Sequence, residues 1–170
     1  MDKRKESEPS PTNNRTTVDR TSERELVVRR TFNGPAHIVF EAWTKPELFK
    51  QWWVPKSMGM SLLSCEMDVR VGGKYRLEFA FGDSRAAFFG TYKEVIPHSR
   101  LVWTNEESDE GSVTTVTFVE KGGKTLLVMH ELYPSKEALD AAGTGAADAM
   151  GETFAQLDEL LVSLQQSGFN

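Results

Sequence analysis

The sequence predicts an α+β domain in which one antiparallel sheet is covered by a terminal helix. Three observations carry this. A run of short, alternating segments is separated by glycine turns, a helical period appears near the C-terminus, and the order is strand, helix pair, strands, long helix. A chain of 170 residues suits one domain with a single core.

The first strand is expected over 25–32, Glu25-Leu26-Val27-Val28-Arg29-Arg30-Thr31-Phe32, and stops at Asn33-Gly34-Pro35. A helix over 35–43 follows, with Pro35 in its first turn and Ile38, Val39, Ala42 and Trp43 forming an apolar stripe. Pro46 marks a break, and a short turn bounded by Pro55 carries Phe49, Trp52 and Trp53. Strands are then expected over 61–71, 74–81, 86–95, 100–104, 112–120 and 124–132, with Gly72-Gly73, Gly82-Asp83-Ser84 and Gly122-Gly123 as hairpin turns. In 74–81 the residues Tyr75, Leu77, Phe79 and Phe81 share one face. Ser135 is the expected cap of a helix, and Gly143-Thr144-Gly145 is a weak point before a longer one. On that last helix Met150, Phe154, Leu157, Leu161 and Leu164 form one stripe, while Asp148, Glu152, Asp158 and Glu159 make an acidic outer face.

Residues 1–24 hold almost no apolar side chain beyond Met1 and Val18 and are expected to be a disordered polar leader. The domain is expected over 25–165, with 166–170 a flexible C-terminus. No apolar stretch follows Lys3, Arg4 and Lys5, so no secretory signal is read and a cytoplasmic location is expected. The balance of 20 Lys+Arg against 25 Asp+Glu, net −5, argues against a nucleic-acid partner or an anionic membrane surface. No run approaches the roughly 18 apolar residues of a membrane span, so no membrane insertion is expected.

Several motifs in order resemble a known family. Ala42-Trp43-Thr44-Lys45-Pro46-Glu47, Gln51-Trp52-Trp53-Val54-Pro55 and Asp68-Val69-Arg70-Val71-Gly72-Gly73-Lys74-Tyr75-Arg76 are similar to successive motifs of START-like domains homologous to the heat-shock chaperone ATPase activator. Gly90-Thr91-Tyr92-Lys93-Glu94-Val95-Ile96-Pro97, Arg100-Leu101-Val102 and the closing 152–161 segment continue the resemblance, which covers about 25–164. It implies a helix-grip fold, with a curved antiparallel sheet around a long C-terminal helix and two short helices closing one end of an apolar cavity. Function follows less tightly, because the wider superfamily includes lipid and hormone carriers, polyketide cyclases and the activator's own C-terminal domain.

Catalytic signals are sparse. His37, His98 and His130 share no ligand spacing with the single Cys65, so no metal and no cofactor are expected. Gly72-Gly73-Lys74 lacks the flanking glycine and the Ser or Thr of a phosphate loop and reads as a turn. Cys65 reads as a small buried hydrophobe, and Asp68, Arg70 and Arg76 as ion pairing around that turn. His130, if it faces inward with Leu126 and Val128, is the best single polar group for the cavity.

Aromatic residues are the informative class, because ligand pockets are lined mainly by apolar and aromatic side chains with a few polar anchors. Trp52 and Trp53 are expected at the cavity mouth, with Tyr75, Phe79, Phe88, Tyr92 and Trp103 on the sheet. Met129 and His130 join them from the last strand, and Met150 and Phe154 from the last helix. The leading expectation is therefore non-enzymatic binding of an apolar small molecule. A heat-shock chaperone partner is the second reading. The third is an enzyme of the cyclase or hydrolase kind, with His130, Glu131 or Asp68 as acid or base.

Overall fold

The computed structural model describes residues 16–106, 111–143 and 149–166. Their elements are β1 (Thr17–Ser22), β2 (Glu25–Phe32), α1 (Ala36–Thr44), α2 (Pro46–Phe49), β3 (Ser61–Met67), β4 (Lys74–Phe81), β5 (Ser84–Ile96), β6 (Arg100–Thr104), β7 (Val113–Lys121), β8 (Lys124–Leu132), α3 (Lys136–Ala142) and α4 (Met150–Gln166). A 3₁₀ turn at Lys56–Met58 links α2 to β3. The strands form one sheet in the order β1-β2-β8-β7-β6-β5-β4-β3, antiparallel at every pairing.

Curvature comes from β5. Its first part, Ser84 to Thr91, pairs with β4, and its second, Tyr92 to Ile96, pairs with β6. Gly90 stands at that bend. A Cβ there would lie 1.7 Å from the Thr104 carbonyl oxygen, so only glycine lets the two strands approach. The bend turns the aromatic faces of β4 and β5 toward α1 and α2.

The concave face is filled from both sides. On β2 the residues Leu26, Val28, Arg30 and Phe32 alternate inward and are all buried. Helix α4 lays Phe154, Leu157 and Leu161 against them, and the Phe154 ring meets Phe32 edge-on at 5.3 Å. Arg30 is the exception on this apolar face, and it is answered by Asp158 of α4 at 2.6 Å. The α1 N-terminus has no local cap; the Ala36 N–H donates to the Glu120 carboxylate at 2.9 Å, across 84 residues of sequence. Ser135 caps α3 as the sequence predicts, its Oγ accepting from Ala138 N–H at 3.0 Å.

Two expected boundaries and one expected face need correction. Residues 17–22, assigned to a disordered leader, form β1, which pairs with β2 from Thr17 opposite Arg29 to Ser22 opposite Glu25. The ladder hydrogen bonds hold this polar edge strand, so it needs no alternating apolar pattern. The strand expected over 61–71 stops at Met67, because Asp68 to Gly73 turn back and dock on β5 through Gly72 N–H to Tyr92 O and Tyr92 N–H to Gly73 O, both 2.8 Å. Phe81, expected on the covered face, is 58% exposed at the strand end. Residues 1–15 of the leader, 144–145 of the weak point and 167–170 of the C-terminus lie outside the described residues, and Gln166 is the last residue of α4.

Eight antiparallel strands curved around a C-terminal helix, with two short helices after β2, constitute the helix-grip fold. Among the described residues no helix is long and apolar enough to cross a membrane.

Candidate functional site

Helices α1 and α2 are drawn together by aromatic rings. Trp43 of α1 meets Trp52 at 4.9 Å, Trp53 at 5.8 Å and Trp103 of β6 at 6.1 Å, and Phe49 stacks on Trp53 at 4.8 Å. Between these rings and strands β3 to β6 lies a cavity of about 60 Å³. Its walls are Trp43, Phe49, Trp53, Met67, Tyr75, Leu77, Phe88, Tyr92, Trp103 and Asn105. Phe88 is 44% exposed and marks the open side.

A second cavity, of about 140 Å³, lies on the other side of Trp53. Leu26, Val28, Met129, Glu131, Tyr133, Ala142, Gly143 and Met150 complete it. Trp53 is thus the partition between two spaces. The segment that carries it is stapled to α4: Gln156 Nε2 donates to Trp52 O and Val54 O, both at 2.9 Å, and Gln156 Oε1 accepts from Lys56 N–H at 2.9 Å. Glu152 accepts from Ser57 N–H at 2.9 Å and from Ser57 Oγ, and these bonds hold its carboxyl below the usual range.

A polar chain joins the two cavities along the inner face. The Tyr75 hydroxyl donates to Asn105 Oδ1 at 3.0 Å and to Thr104 O at 3.1 Å. Asn105 Nδ2 donates to Ser112 Oγ and to Thr114 Oγ1, each at 3.0 Å. Ser112 Oγ in turn donates to Glu131 Oε1 at 3.0 Å, and the Tyr133 hydroxyl reaches the same oxygen at 3.5 Å. Burial pushes the Glu131 carboxyl above its ordinary range, against the lowering effect of the hydrogen bonds from Ser112, Tyr133 and Thr114. Burial also raises the Tyr133 phenol to about 12 and the Cys65 thiol to about 11, so neither is a nucleophile near neutral pH.

The expected site residues divide between wall, core and outer surface. Trp53, Tyr75, Phe88, Tyr92 and Trp103 wall the first cavity, and Met129 and Met150 the second. Trp52, Phe79 and Phe154 are corrected to core: they are 0%, 3% and 0% exposed, and line neither space. The Trp52 Nε1 donates to Ala42 O at 2.9 Å, which fixes that ring beneath α1 instead of at the mouth.

His130 is also corrected. It faces away from the cavity, partly exposed, and its Nε2 lies 2.8 Å from Glu25 Oε2 on the outer side of the sheet. Leu126, its companion in alternation, is 38% exposed, whereas Leu127 and Met129 are buried. The titratable group that β8 turns inward is therefore Glu131. Asp68 pairs with Arg70 at 2.9 Å in the exposed turn, whereas Arg76 pairs with Glu78 at 3.0 Å. Of the three candidate acid-base residues, Glu131 alone lines either of the two cavities described. Asn105, Leu26, Val28 and Tyr133 were missed, because nothing in their own sequence surroundings signals that distant strands bring them together. Among the described residues no three side chains of metal-binding type come together.

Glu131 makes a pH prediction. Its folded-state pKa is raised, so its contribution to stability is full below the ordinary carboxyl value of 4.5 and falls as pH climbs from there through the raised value. Glu131→Gln is expected to remove that fall and to be at least as stable as the wild type at pH 7.5. Urea midpoints for both proteins at pH 4.5, 6.0 and 7.5 check this, and a variant trailing the parent by an equal margin at every pH contradicts it.

Comparison with known proteins agrees with this architecture. A crystal structure of a Rhodobacter sphaeroides protein superposes with a TM-score of 0.81 at 24% identity, covering 88% of this chain and 99% of that one. A Nitrosomonas europaea protein does so with a TM-score of 0.76 at 24% identity, covering 85% and 98%. CalU16 from Micromonospora echinospora is similar at a TM-score of 0.58 and 19% identity, covering 91% of each chain. No curated protein matches the chain in sequence. These likenesses define the class of the chain by its fold, a helix-grip domain. Within that class the chain belongs to the family described as activator of Hsp90 ATPase homolog 1-like protein, whose model matches residues 33–162.

Proposed function

We propose that this protein binds an apolar small molecule in the cavity enclosed by the sheet and helices α1, α2 and α4, acting in the cytoplasm as a receptor or carrier and not as an enzyme. The observation that carries the reading is the aromatic cavity divided by Trp53. Each space is smaller than the roughly 300 Å³ at which ligand pockets begin. Binding therefore requires Trp53 to swing out, so that the two spaces join through the volume its own ring now fills. Trp53 is the ring suited to move, since it is partly exposed while Trp43 and Trp52 are buried.

A chaperone-activating role, the activity in the family's description, draws less support from the acidic face of α4. Two of its carboxylates are engaged inside the molecule, Glu152 by Ser57 and Asp158 by Arg30.

The test is a titration of the isotope-labelled full chain with a pool of neutral aromatic and aliphatic compounds, read by amide and indole NMR. Saturable shifts are expected around Trp53 and Trp103. In Trp103→Ala affinity should fall about tenfold or more with the spectrum still dispersed, as expected when an aromatic wall is removed. The exposed control Leu63→Ala should change nothing. A dispersed spectrum that no compound perturbs, together with stimulation of a heat-shock chaperone ATPase, would replace this reading with the second.

A further inference from the structure

Trp53 stands between two clamped carbonyls. The Gln156 amide donates to Trp52 O and to Val54 O, one on each side of that residue, and accepts from Lys56 N–H, all at 2.9 Å. Both of its donor hydrogens and its oxygen are thus spent on backbone 100 to 104 positions away in sequence. One turn earlier on α4, Glu152 accepts from the Ser57 N–H and hydroxyl. Among the described residues these two side chains supply the hydrogen bonds that tie 54–57 to another element.

The two sides of this clamp are unequal. Helix α4 is fixed in the core by Phe154, Leu157 and Leu161, all 0% exposed, whereas no residue from Trp53 to Met60 is buried. The segment has a fixed post at one end, where the buried Trp52 ring donates to Ala42 O. At the other end stands Gly59, with φ +66° and no atom within 4 Å of where a Cβ would lie. Between those ends the chain is free to turn once the two side chains let go. Each hydrogen bond of this kind shifts such an opening equilibrium by roughly 2- to 13-fold.

Resting on the proposed ligand-binding role, we infer that Gln156 and Glu152 form a latch that keeps Trp53 shut, and that their release from 52–57 is the step that admits a ligand. Gln156 is a positioning residue, since it lines neither cavity and acts through Trp53. The ligand-bound form is the unlatched one. A protein whose competent form is scarce binds with an affinity reduced by the open fraction, so weakening the latch strengthens binding. Association rate and affinity then rise by the same factor. Dissociation does not change, because the complex has already given up those bonds. A side chain that merely supports the fold behaves otherwise: its loss lowers stability and brings no gain in affinity.

The test mixes N-phenyl-1-naphthylamine, a neutral probe that fluoresces in apolar surroundings, with the full chain by stopped flow, as wild type, Gln156→Met and Ser57→Ala. Gln156→Met keeps the length of the side chain and removes its three bonds. It is expected to bind about tenfold faster and about tenfold tighter, with dissociation unchanged. Ser57→Ala, at an exposed position, loses only the hydroxyl bond and should move both quantities the same way by about two- to threefold, which keeps the test decisive if the first variant fails to fold. A readout without ligand is exchange of the Ser57 amide in Gln156→Met, where its own acceptor Glu152 is intact. It should quicken by about tenfold, because the segment opens as a unit. Binding by wild type that neither variant strengthens overturns the latch and leaves the cavity reading standing. Faster dissociation with association unchanged also overturns it, since that places the bonds in the bound form. Binding by none of the three proteins ends the cavity reading and the latch together.

Discussion

Phe154→Ala is expected to lower the stability of the domain by about 3–5 kcal/mol, the cost typical of deleting a fully buried aromatic ring. The ring is 0% exposed at the centre of the concave face, edge-on to Phe32 at 5.3 Å and 6.2 Å from both Trp43 and Trp52. Rigid strands on one side and α4 on the other leave little freedom to collapse into the void, which places the cost toward the upper end of that range. For a domain of this size the loss corresponds to a fall in Tm of roughly 6–20 °C. Val162→Ala, at a position on the same helix that is 41% exposed, should stay within about 0.5 kcal/mol. Urea denaturation of both variants checks the pair. A Phe154→Ala protein within 1 kcal/mol of its parent would mean that this ring closes a ligand space and is not part of the packed core.

The second large effect lies at the pair between β2 and α4. Arg30 Nη2 and Nε both donate to Asp158 Oδ2, at 2.6 and 3.2 Å, and the side chains are only 6% and 12% exposed. Asp158→Ala leaves Arg30 buried opposite the space its partner vacated, with Thr16 Oγ1 at 2.8 Å as a remaining acceptor. The expected cost is about 3–5 kcal/mol, and burial keeps salt from screening much of it. The double variant Arg30→Met with Asp158→Leu should recover most of the loss, since a buried ion pair exchanged for packed apolar groups is often neutral. A double-mutant cycle by urea denaturation measures the coupling. Additive losses would show that each residue acts through separate contacts.

How much could be read from residue order differs from element to element. Strand 74–81 was legible because a strand with one covered face alternates, 100–104 and 124–132 because they are short apolar runs bounded by polar or turn residues, and the Ser135 cap because a cap needs only its own side chain. The aromatic wall was legible as a class of residue. Which ring walls the space and which fills the core was not. Trp52 and Trp53 are adjacent, yet one donates to Ala42 O beneath α1 and the other divides two cavities.

On β8 the run Leu126-Leu127-Val128-Met129 is apolar at both parities, so the alternation has no phase from which to place His130 or Glu131. Pairing with β2 and β7 sets it: Leu127 lies opposite Arg30 and Phe118, and Glu131 opposite Leu26 and Thr114, all five on the inner face with Glu131. Gln156 and Asn105 show the same limit. Each forms bonds with segments distant in sequence or beyond its own strand, and neither sits in a pattern of its own.

Local periodicity, glycine turns and the order of segments were therefore enough for the α+β class, the family resemblance and most element boundaries, because those depend on interactions within a few residues. The polar edge strand β1, the inward carboxylate of Glu131 and the Arg30–Asp158 tie were decided by tertiary packing. Each depends on register and on approach between segments, where the free energy of a single group is set by what lies across the interface and not by its neighbours along the chain.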